Sequence, residues 1–284
     1  MAVALKWNDL VMSLYEDQFD AKHDLTYEGE KPSKYLIIAS TARSGSHMLG
    51  HALHATGQFG YPLEYVNPAN LSKWKELTKA NSFEKVIECI KQRRTSPNGV
   101  FSIKIHYSHL KQFGGYEKIK EYFPNAHIVF ISRKNVLKQA VSFAIASQNG
   151  NWISGQAKNE VTHTYDERLI KKIMKRTMLE NASWRFNLLA SGDEFLEMEF
   201  ESISKDIPSA VQSIADFMNI EIPESSIPQQ PTTTKQSTTI NKEWEERFIS
   251  NYRSGEDISA DLRGMYEQGG LMKKLKRVVK SILG

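Results

Sequence analysis

The chain has 284 residues, near the upper limit for one hydrophobic core, and its 40% hydrophobic and 25% charged content suits a soluble globular protein. The formal charge of +4 is local: Lys273, Lys274, Lys276, Arg277 and Lys280 are five of the 37 basic residues, and without them 32 basic groups face 33 acidic ones, which argues against a general nucleic-acid surface. No apolar run approaches the roughly 20 residues needed to span a bilayer. The first nine residues lack a charged region followed by an apolar one, and the lone Cys89, near Val86, Ile87 and Ile90, reads as a core thiol, so a reduced, cytoplasmic setting is expected.

The first clear element is Tyr35–Ser40, a continuous apolar run of the kind buried in a parallel sheet. It enters the loop Thr41-Ala-Arg-Ser-Gly-Ser46, and a helix is predicted from about His47 to Thr56 with Gly57 as its stop. Helices follow near 71–79 and 83–94, then a strand over 100–105, a short helix near 116–123 and a strand over 127–132. The pattern continues with a helix over 136–147, a polar loop over 149–163, a long helix over 165–191, a strand over 195–200 and a helix over 209–218. The Thr/Gln-rich stretch 227–239 reads as loop. Strands alternating with helices predict an α/β three-layer sandwich around a central, mainly parallel sheet, whose ligands bind at the carboxyl ends of the strands. One domain is expected, with its core over about 35–250.

The loop 41–46 leaves a buried strand and opens a helix, where free backbone N–H groups and the helix dipole favour an anion. Gly45 permits close backbone approach, Arg43 supplies a fork of donors, and Ser44 and Ser46 add hydroxyls. The same residues equally describe a plain strand-to-helix turn with Ser46 as N-cap. A nucleoside-triphosphate P-loop needs Gly-x-x-x-x-Gly-Lys-Ser/Thr. This loop has no lysine and one glycine, which disfavours a metal-dependent kinase.

The run from Tyr35 to Ser46, followed by Gly57-x-x-Gly60-x-Pro62-Leu63-Glu64-Tyr65, resembles the bacterial trehalose 2-sulfotransferase family, whose phosphosulfate-binding loop is common to sulfotransferases. Ile131-Ser-Arg133 through Ser142 to Trp152, then Glu199-Phe-Glu201 with Asp216–Ile220, and Lys235-Gln236 with Glu243-Trp244 match in the same order, from about Tyr35 to Phe248. The resemblance implies a P-loop-like fold that takes 3′-phosphoadenylyl sulfate as donor, with no metal, and passes its sulfuryl group to a hydroxyl of a sugar or glycolipid. It implies that Arg43, Ser44, Gly45, Ser46 and His47 hold the donor's phosphosulfate. Arg133 and Ser142 would hold its 3′-phosphate, with Lys235 as a third contact. It also implies that Glu64 is the catalytic base, assisted by Arg43. A carboxylate facing a phosphosulfate is expected to have a raised pKa.

Two departures from the family pattern stand out. His47 replaces the usual threonine, losing a hydroxyl, although a protonated imidazole would substitute for it. Lys235 replaces an arginine, keeping the charge and losing the bidentate fork. Tyr65 and Trp152 are candidates for stacking on a sugar ring, and Tyr61 is a further one. Lys104 and His106, at the end of the 100–105 strand, are within reach of the cleft or supply its surroundings. His47, His51 and His54 share one helix face, which reads as a polar face in preference to a metal site. A catalytically silent nucleotide-binding protein is the main rival reading.

Leu271–Leu283 has helical apolar spacing with five interspersed cations. Docking of this helix on the protein is the expectation, and peripheral contact with an anionic membrane is the alternative. A homodimer is admitted but not required.

Overall fold

The computed structural model describes residues 16–150, 152, 162–231, 238–253, 255 and 258. The helix expected over 271–283 and the candidate contact Lys235 lie outside the described residues. The chain divides into two compact units, 1–245 and 246–284. The first unit holds the whole sheet and every described helix, apart from the end of the last one.

Four strands form the sheet: β1 (Lys34–Ser40), β2 (Val100–His106), β3 (His127–Ser132) and β4 (Phe195–Glu199), in the order β2-β1-β3-β4 and parallel throughout. Each begins and ends within a residue of its predicted limits, because continuous apolar runs between turn signals are the strongest strand signal a parallel sheet leaves. The order reverses at β1: the chain passes from β1 to β2 on one side, then crosses back to β3 on the other. The carboxyl ends of β1 and β3 lie at this reversal, which is where folds of this kind bind ligands.

The helices before β3 are α1 (Ser46–Ala55), α2 (Pro68–Thr78), α3 (Phe83–Arg94), α4 (Leu110–Phe113) and α5 (Tyr116–Tyr122). After it come α6 (Val136–Asn149), α7 (Glu167–Ala190), α8 (Phe200–Lys205), α9 (Ile207–Met218) and α10 (Thr239–Asn251). Alternation along β1 decides the layers. Tyr35, Ile37 and Ala39 join a core with Trp74, Ile87, Ile90, Phe101, Phe123, Phe130 and Trp184. Leu36 and Ile38 join one with Leu49, Leu53, Val129, Ile131, Val211 and Ile214 on the opposite face. Among the described residues no helix is long and apolar enough to cross a membrane.

Several elements differ from the sequence-based expectations. α2 starts at Pro68, three residues early, because Asn67 caps it: the Asn70 N–H donates to Asn67 Oδ1 at 2.9 Å, and proline occupies the first helical turn. α9 starts at Ile207 for the same reason, with the Ser209 N–H donating to Asp206 Oδ1 at 3.0 Å. α8 and α10 were not foreseen. Cys89 is half-buried and free, so it is not a core thiol.

Candidate active site

The loop after β1 is pinned from beneath. Gln139, fully buried on α6, donates through Nε2 to Thr41 Oγ1 at 2.9 Å and to the Ala42 carbonyl at 2.7 Å. Trp184 Nε1 on α7 donates to the Ser40 carbonyl at 2.9 Å. The chain then enters α1 through Gly45 at φ 87°, which is the N-cap in place of the expected Ser46. A Cβ on Gly45 would lie 2.1 Å from the Phe200 ring, so glycine is required both by conformation and by space. Arg43 also has a positive φ, of 63°, uncommon for a long side chain and a sign that the surrounding structure holds it there.

Arg43 lies between the two residues expected to take a second phosphate. Its Nε donates to Ser142 Oγ at 2.9 Å, its Nη1 to the Trp152 carbonyl, and Arg133 Nη1 donates to its own carbonyl at 3.3 Å. Arg133 stacks on Phe200 at 4.5 Å from the ring centre and has a loose ion pair, 3.9 Å, with Glu201. Its Nε and the Ser44 hydroxyl are buried with no hydrogen-bond partner among the described residues. Burial, and after it the neighbouring Arg133, pushes the Arg43 guanidinium down to about 10. Two guanidinium groups crowded beside a helix N-terminus form a site short of negative charge.

Phe200 and Glu201 escaped the sequence reading as working parts. The Glu201 carboxylate also accepts from the Lys134 and Asn135 N–H groups at 3.1 and 3.4 Å. The turn from β4 into α8 therefore braces both Gly45 and Arg133. The Glu199-Phe200-Glu201 run was visible, but nothing in its composition announces that its ring will underlie a glycine from the first βα loop.

Glu64 comes from the segment after α1. Gly50 on α1 lets that segment pass close, since a Cβ there would meet the Pro62 carbonyl at 2.6 Å. Leu63 bridges in parallel to Ile103, and the Lys104 N–H donates to the Leu63 carbonyl at 2.9 Å. This rung sets Glu64 beside the end of β2. Lys104 Nζ lies 2.8 Å from Glu64 Oε1 and His106 Nε2 lies 3.0 Å from it. The Lys104 side chain is 3% exposed and that of Glu64 is 20% exposed. Burial opposes ionisation of Glu64, but Lys104, then His106 and His109, outweigh it and hold the carboxyl well below the usual carboxylate range. The expected upward shift is thus reversed in this structure, because Lys104 and His106 reach the carboxylate itself.

Other expectations are corrected by burial. The Tyr65 ring is fully buried between Trp74 and Phe101, with its hydroxyl donating to the Tyr61 carbonyl, so it has no face to offer a sugar. Tyr61 is also fully buried, stacked on His54 at 3.9 Å and touching His51 and His23. The histidine face of α1 is therefore a packed face and not a solvated one. His47 is kept neutral by burial and then by Lys104, which removes the protonated imidazole expected there. No group of three His, Cys, Asp or Glu among the described residues is arranged to hold a metal ion. Trp152 packs its ring edge-on against Phe143 and lends its carbonyl to Arg43.

Comparison with known proteins then places the chain: the profile of the family described as Stf0 sulphotransferase matches residues 34–251. The chain belongs to the Stf0 sulphotransferases. No curated protein is similar enough in sequence to match. Among solved structures, the sulfotransferase domain from the curacin biosynthetic pathway has a TM-score of 0.47 at 13% identity, covering 85% of this chain and 99% of that one. Mouse sulfotransferase SULT7A1 complexed with PAP has a TM-score of 0.43 at 15% identity, covering 84% and 73%. Sulfotransferase STF9 from Mycobacterium avium has a TM-score of 0.42 at 11% identity, covering 85% and 72%. In this Stf0 sulphotransferase the matched region contains β1 to β4 and every described candidate residue from Arg43 to Trp152.

Proposed function

We propose that the chain transfers the sulfuryl group of 3′-phosphoadenylyl sulfate to a hydroxyl of a carbohydrate or glycolipid-type acceptor. The observation that carries this reading is an anion-seeking site with an ionised carboxylate close by. At the end of β1, the α1 N-terminus meets Arg43 and Arg133, and at the end of β2 a carboxylate is held ionised by Lys104. The donor supplies an activated sulfuryl group on a nucleotide with a second phosphate. Arg43 and the N–H groups opening α1 suit the phosphosulfate, and Arg133 with Ser142 suits the 3′-phosphate. Binding there requires Arg43 to give up its bonds to Ser142 or Trp152 in exchange for phosphate oxygens.

Glu64 then takes the proton of the acceptor hydroxyl as that oxygen forms its bond to sulfur. The bond between sulfur and the bridging phosphate oxygen breaks, and the electron pair leaves with the nucleotide bisphosphate. Arg43 and Lys104 stabilise the charge that accumulates on the transferring oxygens and the leaving phosphate. As Lys104 turns towards that charge, it releases Glu64 from the interaction that makes it a weak base. The sugar-type acceptor is supported by the sequence resemblance through Gly57–Tyr65, and Trp152 is the candidate for stacking on it.

The test has two arms. In thermal melts without added metal, 3′-phosphoadenosine 5′-phosphate should stabilise the protein and AMP much less, and Arg133→Ala should erase the difference. With labelled donor, sugars and glycolipids should accept the sulfuryl group in preference to phenols. Equal stabilisation by both nucleotides would remove the 3′-phosphate site, and transfer to phenols alone would overturn the acceptor class.

A further inference from the structure

Ahead of β1, the run Glu16-Asp17-Gln18-Phe19-Asp20-Ala21-Lys22-His23-Asp24 makes two single 3₁₀ turns, Glu16–Phe19 and Ala21–His23. Turns this short do not hold their own shape in water. Their anchor is a buried charge. Arg94, the last residue of α3, is fully buried. Its Nη2 donates to the Gln18 carbonyl at 3.0 Å and to the Asp20 carbonyl at 3.4 Å, and its Nη1 lies 3.2 Å from Asp24 Oδ1. A buried guanidinium is costly without such partners, so burial of Arg94 and docking of the run support each other. Phe19 adds an edge-on contact with Trp74, at 5.6 Å between ring centres. All of these residues but Trp74 and Arg94 precede the 34–251 stretch that the family profile matches.

The docked run reaches Glu64 through one amide. Gln18, 4% exposed, donates through Nε2 to Asn70 Oδ1 at 3.1 Å and accepts from Asn70 Nδ2 at 3.3 Å. The same Asn70 Nδ2 donates to the Glu64 carbonyl at 2.7 Å. Gln18 thereby fixes which way the Asn70 amide faces. Reversed, its oxygen would meet two oxygens and its nitrogen another nitrogen, leaving buried polar groups unsatisfied. Two successive carbonyls of the Glu64 segment are thus held: that of Leu63 by the Lys104 N–H of β2, and that of Glu64 by Asn70 of α2.

We infer, on the reading of Glu64 as base, that residues 16–24 form a positioning strap. Gln18, acting through Asn70, sets the backbone from which the Glu64 carboxylate meets the acceptor hydroxyl. A base must stand within hydrogen-bond reach of its proton, and misplacement by about 1 Å costs on the order of 10²-fold in rate.

Gln18→Met in the full chain keeps the length of the side chain and removes both amide contacts. It should lower kcat for sulfuryl transfer by roughly 10–100-fold and leave the affinity for 3′-phosphoadenosine 5′-phosphate unchanged. In a Glu64→Gln background the same change should cost nothing more, because a residue acting through Glu64 has nothing left to place. A second readout needs no acceptor. The imidazole nitrogen NMR signals of His106, which lies 3.0 Å from Glu64, should move in Gln18→Met in the direction they take in Glu64→Gln. Asn70→Ala cuts the link at its other joint and should reproduce both effects. Phe19→Leu, on the same strap, should lower the melting temperature while leaving kcat and the His106 signals in place. His106 signals unmoved by Gln18→Met and Asn70→Ala would overturn the strap's role. So would a loss of kcat that persists undiminished in the Glu64→Gln background. Wild-type turnover in Glu64→Gln alone would instead remove Glu64 as base, and the His106 signals would still decide whether the strap holds it.

Discussion

Glu64 and Lys104 form a buried pair whose members depend on each other. Removing one partner of such a pair leaves an uncompensated charge and costs about 3–5 kcal/mol when the site is dry. Lys104, at 3% exposure, is the drier member. Lys104→Met should therefore let burial dominate at Glu64 and raise its pKa. With Glu64 as base, turnover in the variant should acquire an acid limb at or above the ordinary carboxylate range, where the wild type shows none. Unchanged pH–rate profiles would detach Glu64 from proton transfer. Glu64→Gln should keep nucleotide binding and lower turnover by roughly 10²–10⁴-fold, with some loss of stability because Lys104 loses its partner. The carboxylate was legible in the sequence. Its environment was not, since Lys104 is forty residues away and the single rung between Leu63 and Ile103 brings them together.

At the scale of elements, the segment that carries Glu64 is placed by close backbone approach. Gly50→Ala is the sharpest test, because the position is helical and alanine would otherwise be favoured by about 1 kcal/mol. Here the new methyl would sit 2.6 Å from the Pro62 carbonyl. The variant should melt lower, by an overpacking cost of about 1–3 kcal/mol, and lose turnover more than nucleotide affinity, since α1 keeps its N-terminus while Glu64 is displaced. Equal losses in both would show that the segment does not act through Glu64. The strands are legible almost to the residue, whereas the starts of α2 and α9 are set by the Asn67-Pro68 and Asp206-Ile207-Pro208 caps, which apolar periodicity does not show. α10 lay beyond a Thr/Gln-rich stretch, and its buried Trp244, edge-on to Tyr165, is a tertiary contact that no local pattern announces.

For the molecule as a whole, packed histidines set a limit on acid stability. Burial leads in each case: His51 and His106 are held down to about 4 and His109 to about 3, while His47 and His54 are also lowered. The unfolded chain takes up these protons near pH 6.5 and the folded chain not until about pH 4, so stability is complete above the first value and falls as pH drops between them. Melting temperature should decline steeply from pH 6.5 to pH 4, before most surface carboxylates titrate, and His51→Gln should shallow the slope. A melting temperature flat to pH 5 would contradict this. The sequence suggested a polar face for these residues, because helical spacing alone does not reveal that Tyr61 folds back over His54 and His51.

The strand order has a consequence for biosynthesis. β1 leads into the loop 41–46, yet Leu36 finds its neighbour on β3 only at His127, about ninety residues later. At the usual 5–20 residues per second, a ribosome takes roughly 5–20 s to deliver that partner. Throughout that interval the apolar Tyr35–Ala39 run has no β3 edge to pair with. A nascent chain arrested before β3 should thus be a stronger client for chaperones than one arrested after it, since until then the sheet consists of β1 and β2 alone, a pair of marginal stability.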